Sequence, residues 1–219
     1  MVRKILLLLA MVVLFGCNTQ QAEKTVQETE KQVKKTEEES DMKNTKVLFK
    51  TNMGEIELEL FDKEAPITVK NFVAYVKAGH YDGTIFHRVI PDFMAQGGGY
   101  TAEFEQKETN ETIQNEANNG LKNERGTIAM ARTNFPHSAS SQFFINLVNN
   151  HFLDFVSETP QGWGYAVFGK VTKGMEVVDE MAKIPTSGAA FFRSDVPVTT
   201  IVIEKAEVMK KTVTKKTTK

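Results

Sequence analysis

Residues Glu55 to Leu60 read Glu-Ile-Glu-Leu-Glu-Leu, a strict alternation of carboxylates with branched aliphatics. Only an extended strand sorts such a pattern, because its successive side chains point to opposite faces. Ile56, Leu58 and Leu60 then share an apolar face, and Glu55, Glu57 and Glu59 the other. A strand divided in this way belongs to a half-buried antiparallel sheet. Lys46–Thr51 precedes it as a partner across the Asn52-Met53-Gly54 turn. Further strands are expected at about Ile85–Val89, Phe93–Gly97, Thr127–Ala131, Gln142–Leu147, Ala166–Val171 and Thr199–Val208. Pro66 opens a helix in which Val69, Phe72, Val73 and Val76 recur at helical spacing, and Gly79 is placed to end it. Gly174 precedes a second helix carrying Val177, Val178, Met181 and Ile184. Many short strands with two helices point to a closed antiparallel barrel capped by the helices, since closure removes exposed strand edges.

The two ends of the chain do not belong to that fold. A chain of 219 residues fits one domain plus tails. Arg3 and Lys4 precede a short apolar run, Ile5–Phe15, which is too short to span a bilayer comfortably. The run ends Leu14-Phe15-Gly16-Cys17 and resembles a bacterial lipoprotein signal, with cleavage before Cys17 and lipid on its thiol. An ordinary export signal beside an incidental Cys is the alternative. Residues 1–16 are thus read as signal peptide and 17–45 as a lipidated Cys with a disordered charged tether. Residues 46–208 form the folded domain and 209–219 a tail with Lys210, Lys211, Lys215, Lys216 and Lys219. Asn18–Asn44 is rich in Glu, Lys, Gln and Thr and holds too few apolar residues for a core. The expected location is the cell envelope, at a membrane and facing away from the cytoplasm. The formal charge is −1 and becomes −3 once Arg3 and Lys4 are removed, so nucleic acid is not an expected partner. Cys17 is the only cysteine, and the four histidines lack metal-ligand spacing, so neither a disulfide nor a zinc site is expected.

The chemistry concentrates in Tyr81–Gly98, where Arg88 lies among Phe86, Phe93 and Met94 with Gln96 just beyond. Burying an uncompensated arginine is costly, so Arg88 belongs at the rim of an apolar pocket, aimed at a ligand. Gln142, Phe143 and Phe144 add an amide and two aromatics, the composition of a small-ligand or peptide site. Alternation allows only one of Phe143 and Phe144 to line it. His87 reads as a hydrogen-bonded structural residue facing away from Arg88. The Gly97-Gly98-Gly99 run lacks the Lys-Ser/Thr ending of a phosphate loop and reads as close backbone packing. Ser138, Ser140 and Ser141 lack a nucleophile-elbow motif.

Several runs, in this order, resemble the cyclophilins, a family of peptidyl-prolyl cis/trans isomerases. They are Phe86 to Gly98, Met130-Ala131-Arg132, Ser141 to Ile145 and Val167 to Val171. Asn115 to Leu121 and Gln161 to Tyr165 resemble the bacterial branch. The resemblance spans about Lys46 to Val208 and implies a closed eight-stranded barrel with a helix at each end and a proline pocket on its outer face. By matching motif it makes Arg88 the catalytic residue and Phe93, Met94, Phe144 and Leu153 the pocket walls. It gives Gln96 the substrate backbone and lays the peptide along Ala131 and Arg132, with Gln142 nearby. Phe152 and Tyr165 stand where many eukaryotic members have Trp and His, which implies an aromatic pocket with weak cyclosporin binding.

No cofactor is implied. The implied substrates are proline-containing polypeptides among exported or surface proteins, with membrane contact through the N-terminal lipid and a monomer as the default state. The alternative function is a proline-peptide binding or chaperone module in which turnover is incidental.

Overall fold

A computed structural model describes residues 44–210. The expected signal peptide, Cys17, all but the end of the tether and the tail beyond Lys210 lie outside the described residues. The elements run β1 (Lys46–Thr51), β2 (Gly54–Leu60), α1 (Pro66–Lys77), β3 (Thr84–Ile85), β4 (Arg88–Ile90), β5 (Met94–Gly97) and β6 (Thr127–Met130). They continue with β7 (Phe143–Asn146), β8 (Val167–Lys173), α2 (Met175–Met181), β9 (Thr186–Ala189), β10 (Phe192–Pro197) and β11 (Val202–Val208).

Nine strands pair in the order β3-β11-β1-β2-β8-β6-β7-β5-β4, and β9 and β10 form a separate ribbon. The expectation of a closed eight-stranded barrel is therefore corrected to an open nine-stranded sheet. The reason lies in the segment read as one strand, Ile85–Val89, which breaks at Phe86 and His87. Its first half pairs with β11 and its second with β5, at opposite ends of the ladder. Edge protection is achieved by covering instead of closure. The Ile85 amide donates to the Tyr100 carbonyl, and Thr84 bridges to Thr101. At the other end, β10 packs beside β4. Sequence periodicity missed the β9–β10 ribbon because its residues are mostly exposed and do not alternate.

Alternation sorts the sheet into two apolar faces. Ala95, Ile128, Phe143, Ile145 and Phe168 join one cluster with Phe49, Phe72, Tyr81, Phe86 and residues of both helices. Within it, Phe143 lies 5.4 Å from Phe49 and 5.8 Å from Phe72, while Phe72 reaches Phe168 at 4.9 Å. The intervening residues Met94, Ala129, Phe144 and Val167 form a second cluster on the opposite face.

Helix α1 begins with Pro66 at its first turn, but its cap position is Ala65, which has no side-chain acceptor. Glu116, far along the chain, replaces it. Its Oε1 accepts from the Ile67 amide at 3.1 Å, and its Oε2 accepts from the Thr68 amide and hydroxyl at 2.8 and 2.7 Å. A carboxylate there satisfies orphan amides and complements the helix dipole. The helix ends as the sequence predicts, with Gly79 left-handed at φ 69°.

The charged face of β2 holds a surprise. Glu57, expected to face solvent, is buried, and Lys46 and Lys173 reach it at 2.6 and 3.0 Å while the Thr172 hydroxyl donates at 2.9 Å. The Lys46 and Lys173 hydrogen bonds are the main reason its pKa falls to about 2 from 4.5. A depressed carboxyl contributes stability that is complete above its unfolded pKa and fades as pH falls through the folded value. Thermal melts should show Glu57→Gln below the wild type at pH 6, with the gap closing as pH falls from about 4.5 towards about 2. A gap of constant size would mean that the carboxylate is not the origin. Glu116→Ala should destabilise the domain by about 1–2 kcal/mol in urea unfolding, in the range of a lost helix cap. An unchanged midpoint would refute the capping role.

Candidate active site

Cross-strand register builds the site. Arg88 on β4 lies opposite Gln96 on β5, Gln96 opposite Phe144 on β7, and Phe144 opposite Ala129 on β6. Directly opposed residues share a face, so a guanidinium, an amide and an aromatic ring stand in a row on the outer side of the sheet. Met94, two residues from Gln96, shares that face. Phe93, Ala131, Leu153 and Tyr165 pack against the cluster of Met94 and Phe144. The expected walls thus come together, and Phe143 and Phe144 do divide between the faces. Phe152 is 75% exposed and stacks on Phe93 at 5.6 Å, forming an outer lip.

The amides occupy the neighbouring ground. Gln96 Nε2 donates to Gln142 Oε1 at 3.0 Å, which leaves the Gln96 carbonyl oxygen as an acceptor. Together with Gln106, Arg132, Ser138 and Ser140 they line a polar hollow of about 220 Å³. Ala131 lies between this hollow and the apolar cluster and borders both. Arg132 is committed locally. Its Nε donates to the Gly164 carbonyl at 2.8 Å, its Nη1 to the Thr133 carbonyl at 2.9 Å, and its guanidinium lies 4.5 Å from the centre of the Tyr165 ring. Tyr165 in turn meets Phe144 edge-on at 5.7 Å. Arg132 therefore braces the aromatic wall with its side chain. The Ser138 hydroxyl bonds within its own turn, accepting from the Thr133 amide and donating to the Phe135 carbonyl.

Two glycines permit the close approaches. Gly98 has φ 83°, and a Cβ there would sit 2.7 Å from Phe143 and 2.9 Å from Tyr81. Gly164 has φ 65°, and a Cβ there would meet the Leu153–Asp154 backbone at 2.6 Å. The reading of the Gly97-Gly98-Gly99 run as close packing holds.

Sequence reasoning missed the polar residues that fix the walls. Asn150 Nδ2 donates to the Phe93 carbonyl at 2.9 Å and to Asn146 Oδ1 at 2.8 Å. Asn123 donates to the Leu153 carbonyl at 3.2 Å, and its amide donates to Asp154 at 2.7 Å. These buried asparagines tie the one-turn 3-10 segment His151–Leu153 to the loop bearing Phe93. Their only signal is an unusual density of Asn between positions 115 and 150. Also missed is Asp195 on β10, whose Oδ2 lies 3.5 Å from Arg88 Nε.

His87, expected to be a hydrogen-bonded structural residue, is buried between Tyr100 at 4.8 Å and Phe192 at 5.2 Å. Its Nδ1 has no partner, so packing holds this ring more than hydrogen bonding. Burial, partly opposed by the Ile85 carbonyl and reinforced by the Arg88 charge, draws its pKa down to about 4. It stays neutral at physiological pH and lies behind the arginine, away from the row.

Residues 46–208 match the family model described as cyclophilin type peptidyl-prolyl cis-trans isomerase/CLD. The chain is 60% identical over 159 residues to peptidyl-prolyl cis-trans isomerase cyp18 of Streptomyces antibioticus, covering 73% of this chain and 95% of that one. It is 55% identical over 162 residues to peptidyl-prolyl cis-trans isomerase B of Escherichia coli, covering 74% and 98%. A crystal structure of a Cryptosporidium parvum cyclophilin type peptidyl-prolyl cis-trans isomerase superposes with a TM-score of 0.62 at 29% identity, covering 76% of this chain and 98% of that one. The chain belongs to the cyclophilin-type peptidyl-prolyl cis-trans isomerases and catalyses rotation about X-Pro bonds.

Proposed function

We propose that Arg88 is the group that accelerates this rotation and that the protein does so outside the cytoplasm, tethered to a membrane. The observation that carries the first part is the row of Arg88, Gln96 and Phe144 beside the apolar cluster. A pyrrolidine ring is a compact apolar body without an N–H, and Phe93, Met94, Phe144 and Leu153 enclose such a body. Gln96 presents its free carbonyl oxygen to the peptide backbone, and Ala131 and Arg132, just past the end of β6, supply the segment along which it lies. Gln142 holds Gln96 in place, while Phe152 and Tyr165 complete the aromatic rim. A second Cryptosporidium parvum structure, determined in the presence of the dipeptide Ala-Pro, supports an X-Pro occupant of this fold.

Rotation breaks no covalent bond but loses the amide resonance, at a barrier of about 18–20 kcal/mol. In the twisted state the prolyl nitrogen becomes pyramidal and regains a lone pair. A donor aimed at that nitrogen binds the twisted state better than either planar state, and this difference is what accelerates the reaction. The guanidinium is charged and planar and holds its donors in a fixed fork. One charge-assisted hydrogen bond contributes about 1.5–3 kcal/mol, or roughly ten- to a few hundredfold in rate. The rest comes from the clamp on the ring and from the anchored backbone.

The second part rests on the leader ending at Cys17 and the charged segment that follows it. Among the described residues no helix is long and apolar enough to cross a membrane. Attachment is assigned to lipid on Cys17, with residues 18–45 as spacer, and the substrates are assigned to exported polypeptides.

Arg88→Ala should lower the exchange rate of an Ala-Pro peptide, measured by NMR, roughly ten- to a few hundredfold, with peptide affinity nearly unchanged. Wild-type exchange in that variant would move catalysis elsewhere in the site. A protein that binds proline peptides without accelerating exchange would instead establish the binding-module alternative. Fractionation of the native host should find the wild type with membranes and Cys17→Ser released from them. A wild type found wholly in the soluble fraction would refute the anchor.

A further inference from the structure

We infer that Asp195 positions Arg88 for catalysis, an assignment that rests on the proposed role of that arginine. The β9–β10 ribbon is the element that delivers it. Phe192 faces Ala189 and Val196 faces Ser187, so four steps along β10 answer two along β9. The excess forms a bulge, a device that re-aims a side chain. Within it Asp195 is left-handed, with φ 67°. Aspartate is one of the few residues other than glycine that enter this region with any frequency.

The ribbon is clamped beside the arginine. Phe192 packs against His87 at 5.2 Å, Tyr100 at 5.2 Å and Phe104 at 6.1 Å. His87 immediately precedes Arg88, so the clamp grips the break in the chain that leads into β4, whose first residue carries the guanidinium. The result is the 3.5 Å approach of Asp195 Oδ2 to Arg88 Nε. Among the described residues no other carboxylate lies within 4.0 Å of Arg88.

The point of contact matters more than its strength. The separation exceeds the roughly 2.7–2.9 Å of a tight charge-assisted bond, so the pair orients without locking. A guanidinium is planar, and holding Nε sets the plane while leaving both terminal nitrogens free to donate. The Arg88 side chain is 41% exposed, and without Asp195 it would distribute over many rotamers. Asp195 thus reduces the ordering needed when the prolyl nitrogen becomes an acceptor. That benefit belongs to the twisted state and leaves binding of the planar peptide largely untouched.

The test uses the full-length protein with Asp195→Asn, Asp195→Gly, Phe192→Ala, Arg88→Ala and the Arg88→Ala/Asp195→Asn pair. Asn tolerates the left-handed backbone and Gly favours it, so both variants keep the bulge, while Phe192→Ala loosens the clamp at a distance. Turnover of an Ala-Pro peptide by exchange NMR, peptide affinity by titration and the Arg88 Nε–Hε resonance are read together. Each variant at Asp195 or Phe192 should lower turnover about three- to fivefold, the reach of a partly exposed ion pair, and change affinity less than about twofold. The Arg88 resonance should shift and broaden, and Asp195→Asn should have no further effect once Arg88 is alanine. Wild-type or faster turnover in Asp195→Asn, with the Arg88→Ala loss intact, would overturn the assignment and leave Arg88 as the donor. Wild-type turnover in Arg88→Ala would remove the role of Arg88 and the assignment with it.

Discussion

Phe143 is packed edge-on between Phe72, Tyr81 and Phe86, with Phe49 tilted alongside. This aromatic contact pins β7, the strand at the centre of the site. A strand has a period of two, so seating Phe143 in the inner cluster obliges Phe144 to face outward. A slip of one residue would turn Phe144 into the core and put Phe143 or Ile145 in its place on the outer face. Arg88 and Gln96 reach the same outer row only because β4 and β5 are registered, through β7, to that same packing. The inner core thus decides the geometry of a site it never touches.

Regular sheet supplies the floor, and irregular backbone supplies the walls. Phe93, Phe152, Leu153 and Tyr165 lie outside strands and so lack a ladder to hold them. Buried asparagines do that work. Asn150 and Asn123 donate to the main-chain carbonyls of Phe93 and Leu153, and Asp154 accepts from Asn123. Satisfied polar groups in a dry setting specify one arrangement, whereas apolar contacts alone tolerate several. Arg132 adds a brace from the outside through Tyr165 and the Gly164 carbonyl.

Much of this was legible in the sequence because the relevant signals are local. The alternation of Glu55–Leu60, the helix that starts at Pro66 and stops before Gly79, and the division of Phe143 from Phe144 all follow from residues a few positions apart. The row of site residues was legible through motif resemblance, and its members do meet on one face. What escaped reading depends on partners distant in sequence. Glu57 alternates as an exposed residue should, yet lysine stems from β1 and β8 fold over it. The strand at Ile85–Val89 looks continuous, but its two halves are claimed by different neighbours, which leaves the sheet open. Asp195 sits in a bulge that no periodicity announces. Glu116 caps a helix some fifty residues earlier, a pairing without a local pattern.

The placement of the row on the outer face of the sheet, with the substrate role proposed for it, has a consequence for how long chains are handled. A polypeptide does not have to present a free end or be threaded through an opening. It can be engaged sideways, at any proline exposed along its length, and leave by the same route. Encounter is then governed by how often a refolding exported chain displays a proline. Such a surface suits brief, repeated visits to many different chains better than prolonged custody of one.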